Sequence, residues 1–191
     1  MYISNHLRLF ELLLLFLPGF LPVHSIIDKN EDVPAKDLQT VNFVDLKKYT
    51  GVWYEFARIP NSFQEDCEQN TTATYRLRQD KRIDVINRCI DANGDTIEAR
   101  GIARLVDAKT QSKLEVSFVR FLGFNLFWGD YWIIGLADDY RYAVVGTPSR
   151  KYGWILSRKP VLSADDFQTV KQILIERGYD PDDFFISKNN Y

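Results

Sequence analysis

The segment Gly51-Val52-Trp53-Tyr54-Glu55 places a tryptophan just inside the first of a series of short segments with alternating apolar and polar residues. About a hundred residues later, the last of these segments, Trp154-Ile155-Leu156-Ser157-Arg158, ends on an arginine. Alternation indicates strands with one buried face, and turn residues such as Asn93-Gly94 are typical of antiparallel hairpins. Eight such segments predict an all-β fold, an eight-stranded antiparallel up-and-down β-barrel with an aromatic plug at one end.

A single helix is predicted after the last of these strands. Ser163 is a suitable N-cap, and the acidic residues that follow it favour the positive end of the helix dipole. Val170 and Leu174 belong to an apolar stripe at helical spacing, and Gly178 is a suitable C-terminal stop. We therefore expect one C-terminal α-helix packed outside the barrel, followed by a short final strand at 184–186.

The first residues of the chain have the pattern of an export signal. Arg8 precedes an apolar run at residues 12–17 that is too short to span a bilayer. We predict a signal peptide at 1–25, a mobile leader at 26–42 and the barrel domain at 43–191. An uncleaved N-terminal anchor is the alternative. The exported protein would be periplasmic, associated with the outer membrane, or secreted.

The histidines exclude several classes of enzyme. Both of them, His6 and His24, lie in the predicted signal, so the mature chain would contain none. Imidazole acid–base catalysis, Ser-His and Cys-His nucleophile pairs and His-ligated metal sites are thereby excluded. No cofactor or metal is indicated. A formal net charge of −2 and the lack of a long basic run make nucleic acid an unsuitable partner.

The two cysteines, Cys67 and Cys89, both lie in the predicted mature chain. In an exported protein an even pair usually forms a disulfide. Cys67 precedes the second predicted strand and Cys89 ends the third. Because these strands would form a hairpin, we expect both cysteines at the same, open end of the barrel. Two free thiols, one of them reactive, are the alternative.

Three motifs in order make the chain resemble the lipocalins, and among them the outlier group of bacterial lipocalin and apolipoprotein D. The first is Gly51-Val52-Trp53-Tyr54-Glu55, the second is the turn Asp138-Asp139-Tyr140, where the family usually has Thr-Asp-Tyr, and the third is Arg158. The likeness covers residues 43–185. It implies that the arginine lies across the tryptophan ring at the closed end of the barrel. We therefore expect Gly51, Trp53, Asp139, Tyr140 and Arg158 to be structural.

Alternation also predicts which side chains face the barrel interior. This inner wall is rich in alanine and glycine, which leaves room, and it carries Tyr75 and Asn87 as isolated polar groups. Such a wall is typical of a ligand site, although a packed core is the alternative. The expected ligand contacts are Tyr75, Asn87, Phe118, Val145, Trp154 and Leu156. The resemblance implies that all of these residues except Val145 line the pocket, whereas Val145 is predicted from alternation alone.

The most unusual stretch is 119–128, an apolar and aromatic segment between the fifth and sixth predicted strands. It should lie at the open rim, where such a run is costly to expose. It could be a lid folded into the opening, a contact in a homodimer, or a loop that touches a membrane. As a lid, Phe124 or Trp128 would shield an acyl chain, and Arg120 would meet a carboxylate or phosphate head group.

These features predict a protein that binds and transports or stores a small hydrophobic ligand, such as a fatty acid or lysophospholipid, in the barrel cavity. Its role would be in the maintenance of cell-envelope or membrane lipids. It would act as a monomer or homodimer and not as an enzyme. One alternative is an enzyme acting on a lipid-like substrate, with Glu55 and a free Cys67 or Cys89 as candidates. Another is a structural envelope protein. Asn70 begins an Asn-Thr-Thr sequon, which is a glycosylation acceptor only in a eukaryotic host.

Overall fold

The computed structural model describes residues 37–190, so the predicted signal peptide and most of the predicted leader lie outside the described residues. Helix α1 is Leu46–Tyr49 and helix α2 is Ala164–Glu176. Neither helix in this part of the chain has the length and apolar character needed to cross a bilayer. The strands are β1 Gly51–Arg58, β2 Gln69–Leu77, β3 Ile83–Ile90, β4 Thr96–Leu105, β5 Lys113–Ser117, β6 Val119–Phe121, β7 Phe124–Leu126, β8 Gly129–Leu136, β9 Tyr142–Gly146, β10 Gly153–Ser157 and β11 Phe185–Ile186.

Eight of these strands close into a barrel. Antiparallel pairing runs from β1 through β2, β3, β4, β5, β8 and β9 to β10, and β10 returns to β1 with Leu156 opposite Glu55. Strand β11 pairs with Ala57 and Arg58 at the end of β1, beyond the residues that pair with β2, whereas β6 and β7 form a separate two-stranded hairpin. The predicted eight-stranded antiparallel barrel with one C-terminal helix is therefore confirmed, with β11 as an extra strand.

Two bulges change which face of the barrel wall a residue occupies. The register of β1 against β10 shifts between Glu55 and Ala57, and that of β8 against β9 shifts between Ile133 and Gly135. A bulge adds one residue to one strand and inverts the alternation beyond it. Trp53 therefore belongs to the interior core, whereas Ala57 of the same strand belongs to the outer core.

The outer core lies between the barrel wall and α2. Val170 and Leu174 are fully buried there and pack with Ile155 of β10. The rings of Phe56 and Phe167 meet edge to face with centroids 5.2 Å apart. The apolar stripe of the helix therefore packs on the outside of the barrel, and it leaves the interior free for other side chains.

Residues 37–42 pack against the barrel and are not a mobile leader. Leu38 is buried in the outer core. The Val41 backbone N–H donates to the Ile133 carbonyl at 3.0 Å, and the Ser112 hydroxyl donates to Thr40 at 2.9 Å. A buried leucine and a backbone hydrogen bond hold this segment against the barrel wall.

Candidate functional site

The barrel encloses a cavity of about 640 Å³ that extends from α1 toward the opposite end of the barrel. Ligand sites for small molecules typically measure about 300–1,000 Å³. The small side chains of Ala73, Ala99 and Ala103 leave this space between the strands. We call the α1 end closed and the opposite opening the mouth. The other aliphatic residues of the wall are Ile83, Val85, Ile97, Leu114, Val116, Val119 and Leu156.

Val145 was expected to contact a ligand but does not line the cavity. It is fully buried in the interior core, between Trp154 of β10 and Ile133 of β8 in the strand register. Its side chain is packed among core neighbours and does not reach the cavity surface. Alternation thus identifies the face on which a residue lies but not whether open space remains beside it. The other five expected contact residues line the cavity, namely Tyr75, Asn87, Phe118, Trp154 and Leu156.

Three tyrosines form the closed end of the cavity, and we call them the tyrosine floor. Tyr49 comes from α1, Tyr75 from β2 and Tyr131 from β8. The Tyr131 hydroxyl lies 2.8 Å from both the Tyr49 and the Tyr75 hydroxyl. Burial raises the pKa of Tyr75 to about 12 and holds the pKa values of the other two well above their ordinary range. The floor is therefore polar but uncharged at neutral pH.

Asn87 is a polar group on the β3 wall above the floor. It pairs in register with Ala73 on one side and Ala99 on the other. Its side-chain oxygen is buried and has no hydrogen-bond partner among residues 37–190. A buried polar atom without a partner costs about 1–3 kcal/mol. A ligand atom that donates a hydrogen bond to this oxygen would remove that cost.

A hydrogen-bond network fixes one side of the mouth. The Glu55 carboxylate accepts from Arg58 at 2.6 Å, from Gln64 at 2.8 Å and from the Ser187 hydroxyl at 2.6 Å. The Gln64 side-chain oxygen in turn accepts from the Trp154 indole N–H at 2.9 Å. The Trp154 ring is thereby held against the cavity. Glu55, the carboxylate considered for an enzymatic role, is bonded to structural partners.

Cys67 and Cys89 form the predicted disulfide, with their Cα atoms 5.5 Å apart, and both line the cavity. The bond closes a separation of 22 residues. In the chain-entropy model such a bond contributes about 3 kcal/mol to stability. Because the chain has only two cysteines, no thiol is left to act as a nucleophile.

The rim segment folds as the β6–β7 hairpin, and only Val119 at its start and Phe127 and Trp128 at its end line the cavity. Val119 pairs with Leu126, and the Ser117 hydroxyl donates to the Leu126 carbonyl at 2.5 Å. Arg120 and Phe124 are exposed and do not line the cavity, in contrast to the expectation for a lid.

Three aromatic residues next to the hairpin line the cavity, namely Phe118, Phe127 and Trp128. Trp128 is held from one side by Arg104, whose guanidinium carbon lies 4.0 Å from the ring centroid. Phe118 lies over Gly101, where a Cβ atom would come within 2.7 Å of the phenyl ring. Glycine at this position therefore provides the space in which the Phe118 ring lies at the mouth.

Several residues of the mouth were not predicted from the sequence. Phe63 and Tyr152 come from loops, with ring centroids 5.1 Å apart, and Tyr152 stacks on Trp154 at 6.3 Å. Arg88 follows the inward-facing Asn87 on β3, so alternation places it on the outer face, but it also lines the cavity, and its guanidinium lies 2.6 Å from the Glu98 carboxylate. Alternation gives no orientation for loop residues. It also assigns each strand residue to a single face of the barrel wall, although a long side chain at the rim can reach the other face.

Arg158 and Trp53 meet at the closed end, outside the cavity wall. The guanidinium carbon lies 3.8 Å from the Trp53 ring centroid. Its N–H groups donate to the carbonyls of Val52 at 2.8 Å, Lys48 at 2.7 Å and Thr50 at 3.0 Å. Burial lowers the pKa of Arg158, although a guanidinium stays charged at neutral pH. The arginine thus joins α1 to the start of β1.

The remaining residues that were expected to be structural also lie at the closed end. Gly51 has a φ of 98°, and a Cβ atom there would lie 3.3 Å from the Arg158 guanidinium. Tyr140 accepts a hydrogen bond at its hydroxyl from the Asp45 backbone N–H at 2.8 Å. The Asp139 carboxylate accepts from the neighbouring Arg141 at 2.9 Å. None of these described side chains lines the cavity.

Comparison with known proteins agrees with this geometry. Residues 44–189 match a family model described as a Lipocalin-like domain. The chain is 36% identical over 160 residues to the outer membrane lipoprotein Blc of Escherichia coli (strain K12), covering 83% of this chain and 87% of that protein. It is 34% identical over 145 residues to apolipoprotein D of Mus musculus, covering 71% and 72%. The structure of insecticyanin from the tobacco hornworm Manduca sexta matches with a TM-score of 0.65 at 24% identity, over 80% of this chain and 84% of that one.

Proposed function

The chain belongs to the lipocalin family, and we propose that it binds and transports or stores a fatty acid, a lysophospholipid or a similar lipid in the barrel cavity. The observation that carries this proposal is the cavity of about 640 Å³, whose wall is apolar except for a few placed polar groups. A role in maintaining envelope or membrane lipids is supported by the relative named an outer membrane lipoprotein. The disulfide and the apolar run at residues 12–17 favour export from the cytoplasm.

The energetics of burial suit an acyl chain. Each buried methylene contributes about 0.8 kcal/mol, so a sixteen-carbon chain gains roughly 13 kcal/mol before any cost of association. Association costs of about 5 kcal/mol would leave micromolar binding. In this proposal Leu156 and the alanines contact the chain, Phe118 and Trp154 cover it near the mouth, and Asn87 contacts a polar atom.

Tryptophan fluorescence tests the proposal directly. Titrating delipidated protein with a long-chain fatty acid or lysophospholipid should change the emission saturably, near one ligand per barrel. Trp154→Ala should weaken binding because the indole lines the cavity, whereas Trp132→Phe should not, because Trp132 packs against the outer core. A titration without a saturable signal for any acyl ligand would contradict the proposal.

We further propose that the β6–β7 hairpin touches a lipid surface, in preference to the lid and homodimer roles. Leu122 and Phe127 are 80% and 81% exposed, and both have a positive φ, 47° and 55°. A left-handed backbone costs a non-glycine residue roughly 1–2 kcal/mol, and strain of this kind is retained mainly at functional sites. Phe127 also lines the cavity, so the apolar surface continues from the hairpin into the mouth.

Flotation with phosphatidylcholine and phosphatidylglycerol vesicles tests this contact. Leu122→Asn removes the apolar side chain and places there a residue that tolerates positive φ, so vesicle binding should fall without loss of stability. Val161→Asn is the matched control, because Val161 is 73% exposed and lies after β10, at the opposite end of the barrel. Unchanged flotation together with a loss of dimer in light scattering would instead identify a homodimer contact. Unchanged flotation together with altered ligand affinity would identify a lid.

A further inference from the structure

The tyrosine floor has one more hydroxyl proton than its own hydrogen bonds use. Tyr49, Tyr75 and Tyr131 each carry one such proton. Two hydrogen bonds join the three hydroxyls, and each bond uses one proton. No other acceptor within residues 37–190 is bonded to these hydroxyls. Whichever way the three protons are arranged, one O–H remains without an acceptor at the closed end of the cavity.

The charges around the floor decide what kind of acceptor fits. Arg88 is the one cationic residue in the described cavity wall, and it lies near the open end of β3. At the closed end, the Arg158 guanidinium is stacked on Trp53 and bonded to backbone carbonyls. The charges nearest the floor act in opposite directions: the Glu55 carboxylate disfavours a negative charge at Tyr75, and the Arg158 guanidinium favours one at Tyr49. An anion at the floor would lose its hydration without gaining an adjacent cation from the described cavity wall, whereas a neutral oxygen would only accept the hydrogen bond.

We propose that the tyrosine floor is a polar subsite for an uncharged oxygen atom, such as a ketone, aldehyde, ester or hydroxyl oxygen, at the inner end of an elongated apolar ligand. This inference rests on the proposed function and narrows its ligand class to lipids oxygenated at or near the end that enters first. Asn87 is the diagonal neighbour of Tyr75 across β2 and β3, with Cβ atoms about 7–8 Å apart in such pairs. It contacts a second polar atom farther along the same ligand.

A pair of ligands with the same head group isolates the contribution of the tyrosine floor to affinity. Dodecanoic acid and its analogue with a keto oxygen on the penultimate carbon share length and carboxylate, and differ only at the inner end. The ratio of their dissociation constants is compared between the parent and the triple variant Tyr49→Phe, Tyr75→Phe and Tyr131→Phe. All three must change, because any hydroxyl that remains leaves at least one free proton. Chain length is varied so that the oxygen can reach the floor.

In the triple variant, the affinity for the keto acid relative to that for dodecanoic acid should fall by about threefold to tenfold. A change of this size corresponds to the loss of one neutral hydrogen bond. Tyr152→Phe is the matched control, because it removes a tyrosine hydroxyl at the mouth and should leave the ratio unchanged. The same ratio in the parent and the triple variant at every chain length would overturn the inference.

Infrared spectroscopy gives a readout in the parent protein that does not depend on the variant folding. A carbon-13 label on the keto group should show its stretching band at lower frequency in the complex than in an apolar solvent, because a hydroxyl donates to it. A bound keto acid with an unshifted band would overturn the inference and leave the proposed function intact. Failure of both acids to bind would refute the proposed function itself.

Discussion

Replacing Arg158 by alanine should lower the stability of the barrel and leave its affinity for lipid unchanged. The side chain stacks on Trp53 at 3.8 Å and bonds backbone carbonyls at the junction of α1 and β1. It does not line the cavity. Its removal therefore loosens the closed end without altering the surface that would contact a ligand.

The magnitude follows from these contacts. A partly desolvated cation–π contact contributes about 1–2 kcal/mol. Hydrogen bonds from a charged donor contribute about 1.5–3 kcal/mol, but Arg158 is only half-buried, so water replaces part of that contribution. We expect the free energy of unfolding to fall by about 3 kcal/mol in Arg158→Ala. For a domain of this size that loss lowers Tm by roughly 6–12 °C.

Urea unfolding followed by circular dichroism measures the loss, and a fatty-acid titration of the folded variant measures the affinity. Arg141→Ala is the control: Arg141 is also an arginine near the closed end, but it is exposed and bonded to Asp139 and Asp166 on the surface. Its replacement should lower Tm much less. A variant of Arg158 that melts like the parent but no longer binds lipid would show that the closed end and the mouth have been assigned in reverse.

Three further changes should alter stability. Reducing the Cys67–Cys89 bond should lower the free energy of unfolding by about 3 kcal/mol, and the double alanine variant should not respond to reductant in a urea titration. Gly51→Ala should cost about 1–2 kcal/mol in thermal unfolding, because φ is 98° and the new methyl group meets Arg158; an unchanged Tm would contradict this. Raising the pH from 10 to 12 should destabilise the fold, since unfolded Tyr75 ionises near 10 whereas burial raises its folded pKa to about 12. Below pH 10 the stabilisation that comes from keeping Tyr75 protonated is fully present. Above pH 10 the urea midpoint should fall less in Tyr75→Phe than in the parent.

The closed end could be predicted from the sequence because its residues are tied to motifs. Trp53 and Arg158 are 105 positions apart, yet each sits in a segment whose strand character is plain. The resemblance to the lipocalins implied their contact, and the pairing of β1 with β10 brings the two residues together. The disulfide was predictable for a similar reason, since β2 and β3 form a hairpin that brings Cys67 and Cys89 to one end.

The depth and composition of the cavity could not be predicted from alternation. Val145 and Asn87 both face inward, but core side chains surround Val145, and the neighbours of Asn87 are alanines. Tyr131 lies two residues before the bulge in β8, where the alternation is interrupted. Phe63 lies on a 3₁₀ turn, which has no strand periodicity. These positions depend on packing across the barrel, which local patterns do not encode.

Native mass spectrometry tests most directly whether the barrel holds a small hydrophobic molecule in its cavity. Protein purified under mild conditions, or incubated with a lipid extract, should carry one apolar or amphiphilic molecule that is released on collisional activation. Ala99→Trp should fold but lose that adduct, because Ala99 lies beside Asn87 in the cavity wall and an indole there would occupy the space. A parent protein without any adduct, or an adduct that persists in folded Ala99→Trp, would contradict the claim.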